Sequence, residues 1–180
     1  MEPELPEDVR PGLAVLEEEV DHVRGPTVGR LILEYGDYEC PFSRRAFREI
    51  ERVEQELGGR LRFAFRHFPL VQIHPYAFGA AAAVEAAAMQ DRFWAMHELL
   101  FHRQQALEDD DLRQYAGQLG LDIRRFDEDR VGPEVRRRIR RDVETGLASR
   151  EVRGTPTLFI DGVVYVGRYD AAALKEALGR

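Results

Sequence analysis

Two short apolar runs with a helical stripe between them constrain this chain more than any other feature. Arg30 to Tyr35 reads RLILEY, an apolar stretch with β-branched and aromatic content that stops at Gly36. Such a run fits a buried strand. Phe47, Ile50, Val53 and Leu57 then recur at three- and four-residue steps, and Gly58-Gly59 ends the pattern, as a helix stop does. Leu61, Phe63 and Phe65 next alternate with Arg62, Ala64 and Arg66, which is strand periodicity. Strand, helix, strand in that order predicts a βαβ unit with a parallel pair, and so an α/β class.

The middle of the chain reads as helical. An alanine-rich stretch from Pro75 to about Arg103 predicts one long or two broken helices, and Asp109–Leu119 and Asp122–Arg130 predict shorter ones. Between Pro133 and Arg150, Val135, Ile139, Val143 and Leu147 are spaced by four, which predicts one apolar helix face. Strand signals return at Thr157–Val166, where TLFI and VVYV flank Asp161-Gly162, a two-residue hairpin signature. Asp170–Leu178 predicts a closing helix. Residues 1 to about 12 read as a flexible tail, and 13–180 as a single domain without internal repeats.

A length of 180 residues is ample for one core without staples. The formal net charge of -7 argues against nucleic acid or an anionic membrane as partner. The opening MEPELPEDVRP lacks the basic and apolar regions of a signal peptide, and no stretch has the length and apolarity of a membrane span. The expected compartment is the cytoplasm. Five arginines between Arg136 and Arg141 are flanked by Glu134, Asp142 and Glu144, a pattern expected of a solvated helix face.

One cysteine excludes an intrachain disulfide. Cys40 stands between the first strand and the start of the helix, and Pro41 suits the first helical position because its missing N–H would be unpaired there. The free N–H groups of a first helical turn stabilise a neighbouring anion, and the thiolate is the nucleophilic form of cysteine. Ser43 is expected to reach the sulfur with its hydroxyl. Arg44 and Arg45 add positive potential, whereas Asp37 and Glu39 oppose it. A small buried hydrophobe is the competing reading of a free cysteine. Thr155-Pro156 enters the hairpin, where a proline donates nothing to the ladder, and that bond is a candidate cis peptide that turns the Thr155 backbone toward an extended ligand.

The five histidines, His22, His67, His74, His97 and His102, form no close ligand spacing with Cys40 or each other, so no metal site is expected. His97 and His102 fall on different helix faces. His67 reads as a buried, hydrogen-bonded histidine, and His74-Pro75 as a helix start.

Taken together, LILEYGDYECPFSRRAF (31–47), LRFAFRHFPL (61–70), FWAMHELLF (93–101) and GTPTLFIDGVVYVG (154–167) resemble the DsbA branch of the thioredoxin-like superfamily. The resemblance spans about residues 20–179. It implies a thioredoxin-like fold with a helical insertion, about 75–150, between the βαβ and ββα halves. It also implies that a cis Pro156 faces Cys40, and that Thr155, Pro156, Pro41 and Phe42 border the substrate. The family's usual second cysteine is replaced by Ser43. A single thiol can still form a mixed disulfide, but release then needs an external thiol such as glutathione. The resemblance therefore implies a monothiol thiol–disulfide oxidoreductase with no resident cofactor, acting on disulfides or mixed disulfides. A non-catalytic peptide-binding module and a kappa-type glutathione transferase or isomerase are the alternatives. The last typically carries serine where this chain has Cys40.

Overall fold

The computed structural model describes residues 12–179. The tail expected at 1 to about 12 therefore lies, except for Gly12, outside the described residues. Among the described residues, five strands form one sheet in the order β1-β3-β2-β4-β5. They are β1 (His22–Arg24), β2 (Arg30–Gly36), β3 (Leu61–His67), β4 (Thr157–Ile160) and β5 (Val163–Val164). β2 and β3 run parallel with Arg30 opposite Leu61 and Gly36 opposite His67. The crossover between them is α1 (Pro41–Leu57), whose last turn gives way to Gly58 in the left-handed conformation. β4 returns antiparallel to β2, with Tyr35 opposite Thr157, so β2 is central and its C-terminal end meets the start of β4.

Strand periodicity distributes the side chains over two cores. Ile32, Phe63, Phe65, Leu158 and Ile160 face α1, α2 (Ala77–Ala88), α3 (Phe93–His102), α4 (Asp109–Gln118), α5 (Ile123–Asp129) and α7 (Ala171–Leu178). Leu31, Leu33, Tyr35, Ala64 and Phe159 face the other way, onto Ala14, Phe68, Val152 and Val143 of α6 (Pro133–Ser149). Both faces are covered, and β2 is accordingly buried along its length except at Arg30. The architecture is a thioredoxin-like α/β fold.

The alanine-rich stretch is two helices, parted at Gln90–Arg92. His74-Pro75 lies in turns, and α2 begins at Ala77. At Asp161-Gly162 both residues take positive φ, 47° and 86°, as a two-residue type I′ hairpin requires. Ile160 and Val163 pair across it. β5 is shorter than expected, ending at Val164.

One strand carries no sequence signal of its own, and two expectations need correction. β1, three residues at the sheet edge antiparallel to β3, is too short to show a period. The buried stripe of α6 is Val135, Ile139, Asp142, Gly146 and Ser149, while Leu147 is exposed. Steps of four drift about 40° each from a 3.6-residue period, so after two steps the face passes to Asp142 and Gly146. Gly146 belongs there because a Cβ would stand 3.1 Å from the rings of Phe68 and Tyr35. The second correction concerns the Arg136–Arg141 run, which is not uniformly solvated. Arg138 and Arg141 turn inward to Asp21 and Asp142, because these two carboxylates are fully buried and buried charges require partners.

Candidate active site

Cys40 is the N-cap of α1, with extended backbone (φ −72°, ψ 120°) and Pro41 following at the first helical position. Its N–H donates to Asp37 O at 3.1 Å, and its carbonyl accepts Arg44 N–H at 3.1 Å. The thiol donates to the carbonyl oxygen of Thr155 at 3.3 Å. The Thr155–Pro156 peptide bond is cis. Residues 115 apart in sequence thus meet because β4 starts beside the end of β2. The Thr155 hydroxyl is buried and has no hydrogen-bond partner among the described residues.

The expected site residues gather unequally. Cys40, Thr155 and Pro156 come together, and Pro41 and Phe42 flank them at the surface, Phe42 with 59 % of its area exposed. Cys40 itself is only 3 % exposed. Ser43 is fully buried and its Oγ accepts the Asp37 N–H at 3.2 Å. It makes no hydrogen bond to the sulfur, contrary to expectation, because the first turn of α1 directs it at the loop ahead of the cysteine. The anticipated acids are also committed elsewhere. Asp37 accepts from Glu39 N–H at 2.8 Å, Leu70 N–H at 2.9 Å and His74 Nδ1 at 2.8 Å. Glu39 accepts the Tyr76 N–H at 2.7 Å. Arg45 rests its guanidinium over the Tyr169 ring.

Behind the loop lies a set of buried polar groups. Glu34 is fully buried on the same face of β2 as Ile32, neither carboxyl oxygen has a hydrogen-bond partner among the described residues, and burial pushes its pKa up to about 8. A Cβ on Gly36 would stand 2.9 Å from Glu34 Oε1, which places the carboxyl under the strand end that leads to Cys40. The Tyr38 hydroxyl pairs with His97 Nδ1 at 2.9 Å. Burial holds the His97 imidazole well below its ordinary range, with Arg24, His67 and His22 adding to the effect, so the ring is neutral. His67 Nε2 and His22 Nε2 both bond Glu85 Oε1, at 2.7 and 2.9 Å. Burial opposes ionisation of Glu85, but the two imidazoles outweigh it and its carboxyl stays below the usual carboxylate range. Among the described residues no group of three or more His, Cys, Asp or Glu is arranged to hold a metal ion.

Sequence reasoning missed Glu34 and Gln104. A lone acid inside the apolar run RLILEY was the available signal for the first. Gln104, in the turn after α3, donates from Nε2 to the carbonyls of Tyr38 and Cys40 at 2.7 and 2.9 Å, and nothing local in its sequence announces that.

The family model described as Thioredoxin matches residues 17–180. A protein of Mycolicibacterium vanbaalenii named Na(+)/H(+) antiporter NhaA 1 is 46 % identical over 169 residues, which cover 92 % of this chain and 27 % of that protein. A protein of Herminiimonas arsenicoxydans named Na(+)/H(+) antiporter NhaA is 40 % identical over 161 residues, 89 % of this chain and 25 % of that protein. The chain thus spans about a quarter of these relatives. Among the described residues no helix is long and apolar enough to cross a membrane. Among solved structures, a thioredoxin-like oxidoreductase from Silicibacter pomeroyi superposes with a TM-score of 0.77 at 26 % identity, covering 89 % of this chain and 91 % of that one. BdbD from Bacillus subtilis gives 0.80 at 20 % identity, covering 96 % and 97 %. The thiol-disulfide exchange protein alpha-DsbA2 from Wolbachia pipientis gives 0.75 at 18 %, covering 87 % and 84 %.

Proposed function

The chain belongs to the thioredoxin family, and from that premise we propose that it is a thiol–disulfide oxidoreductase that works through Cys40 alone. The observation that carries the reading is the placement of Cys40 at the N-cap of α1 with its sulfur 3.3 Å from Thr155 O beside cis Pro156. A helix N-terminus favours the anionic form of a group placed there, and exchange proceeds by attack of a thiolate on a disulfide sulfur.

In the proposed cycle the Cys40 thiolate attacks the small thiol's sulfur in a mixed disulfide between a protein and a small thiol. A new S–S bond forms to Cys40, the old one breaks, and the departing thiolate takes a proton from water. A second small thiol, glutathione or an equivalent, then attacks the Cys40 disulfide. It releases Cys40 and leaves as a symmetric small disulfide. The protein sulfur is reduced and one free small thiol is oxidised, while the other half of the small disulfide comes from the substrate, so no resident cofactor takes part. Because no other cysteine exists in the chain, the second step is external. A reducing compartment, the cytoplasm, supplies that thiol. The exposed Phe42 ring and the Thr155–Pro156 edge receive the substrate backbone. Antiport is given by the names of relatives of which this chain spans about a quarter.

The 3 % exposure of Cys40 favours a second reading, a peptide-binding module whose cysteine is not turned over. One experiment separates the two. The purified protein is mixed with a glutathionylated peptide, followed by mass spectrometry, and glutathione is then added. Formation of a Cys40 adduct and its discharge with turnover supports the enzyme. Peptide binding without an adduct supports the module and refutes the enzyme.

A further inference from the structure

We propose that Gln104 is a positioning residue for Cys40, through the two hydrogen bonds that join the helical layer to the cysteine loop. The inference rests on the reading of Cys40 as the reacting group.

Cys40 and Tyr38 are buried, so their main-chain carbonyls cannot rely on water, and buried carbonyls require donors. The strand and helix on either side do not supply enough. Cys40 O receives Arg44 N–H from α1, and Gln104 Nε2 adds a second bond at 2.9 Å. Tyr38 O receives Gln104 Nε2 at 2.7 Å. A primary amide has two protons, and both are spent on this one loop. The carbonyls they hold belong to the Tyr38–Glu39 peptide ahead of Cys40 and the Cys40–Pro41 peptide after it, so one side chain holds a peptide plane on each side of the cysteine. The far side of the loop is fixed independently, by Asp37 to Leu70 and His74 and by Glu39 to Tyr76. Without Gln104, the Tyr38 and Cys40 peptides must turn toward other donors. The Cα–Sγ direction that brings the sulfur to Thr155 O then changes as well. Gln104 touches neither sulfur nor substrate, and its effect passes through the Cys40 backbone.

The adjacent Gln105 provides the control. It is exposed and makes no side-chain hydrogen bond among those found for the described residues. The test is the rate at which Cys40 forms a mixed disulfide with a pyridyl disulfide, a probe reactive from acid to neutral pH, in the full chain. Gln104→Glu is nearly isosteric but cannot donate when ionised. It is expected to react about tenfold more slowly than wild type at pH 7, the scale of two neutral hydrogen bonds, while Gln105→Glu stays within about twofold. As pH falls through about 4.3 the carboxyl regains one proton to donate, and the deficit of Gln104→Glu should shrink. Gln104→Arg, which keeps N–H donors of sufficient reach, should recover most of the rate. If Gln104→Glu fails to fold, Gln104→Met, of similar length and without donors or charge, carries the same tenfold expectation. Equal slowing by Gln104→Glu and Gln105→Glu, or an Arg variant as slow as the Met variant, overturns the inference and leaves the proposed function standing. An inert wild-type Cys40 overturns both.

Discussion

Asp37 Oδ2 and His74 Nδ1 stand 2.8 Å apart, so a carboxylate three residues ahead of Cys40 reaches across to the segment that precedes α2. The same carboxylate takes two backbone N–H groups, from Glu39 and Leu70. Hydrogen bonds to a buried charged acceptor are worth more than neutral ones. Asp37→Ala is therefore expected to cost about 2–4 kcal/mol, read by chemical denaturation. His74→Ala, which removes one of the three and leaves a half-open rim, should cost less. A loss under about 1 kcal/mol for Asp37→Ala would show that the loop finds other donors and that Asp37 is not its anchor.

Glu34 predicts a pH dependence with a definite sign. Its carboxyl keeps its proton in the folded state up to about 8 and loses it near 4.5 when unfolded. The folded state then binds more protons in between, so stability falls as pH rises from about 4.5 to about 8 and levels off above. Glu34→Leu removes the unpaired carboxyl without opening a large void. The variant is expected to be more stable at pH 8, on the order of 3–5 kcal/mol, and to gain little at pH 4. Parallel stability–pH curves for wild type and variant would mean that Glu34 ionises in the folded state at its ordinary pKa.

The Asp21 carboxylate is bound by Arg66 at 2.6 Å and by Arg141 at 2.7 Å. Burial works against its ionisation, yet the two guanidinium groups prevail and its pKa is lowered. A depressed carboxyl contributes stability above its unfolded value, near 3.8, and that contribution is lost as pH falls through its folded value. Arg66→Ala is expected to destabilise by roughly 3–5 kcal/mol. Because the pair is buried, added salt should change the loss little. A loss that disappears in 1 M salt would place the pair at the surface.

Ser43→Cys tests the single-thiol reading. Positions 40 and 43 share the first turn of α1. The substitution gives up the Ser43 bond to Asp37 N–H, about 1 kcal/mol, and places a second sulfur within one turn of the first. A mixed disulfide on Cys40 should then discharge without added thiol, whereas the wild-type adduct persists. Mass spectrometry over time, after removal of small thiols, gives both lifetimes. Equal lifetimes would show that the two positions are not set for exchange.

Long-period elements were legible in the sequence. The β2–α1–β3 unit, α4, α5 and the Asp161-Gly162 hairpin all follow from local pattern, and Cys40 and Pro156 were picked out by their places at element starts. What was not legible depends on partners distant in the chain. Ser43 was aimed at the sulfur by spacing alone, but a buried backbone N–H at Asp37 competes for its oxygen. Gln104 and Glu85 are unremarkable until α2, α3 and their turns fold over the loop and β3. β1 is held by its antiparallel pairing with β3, and by Arg24 bridging Glu54 and Glu98, rather than by any periodicity of its own.

The two ends of the sheet carry a consequence for behaviour at high concentration. On one side β1 offers three residues, with the charged Arg24 at its end. On the other, β5 is two residues long, and the incoming chain covers it through the Leu13–Val163 bridge and the Ala14 N–H to Gly162 O bond. Long unpaired edges are what allow sheets of separate molecules to join. Among the described residues this sheet presents none of useful length, so copies held close together resist edge-to-edge aggregation even with both strand-rich cores intact.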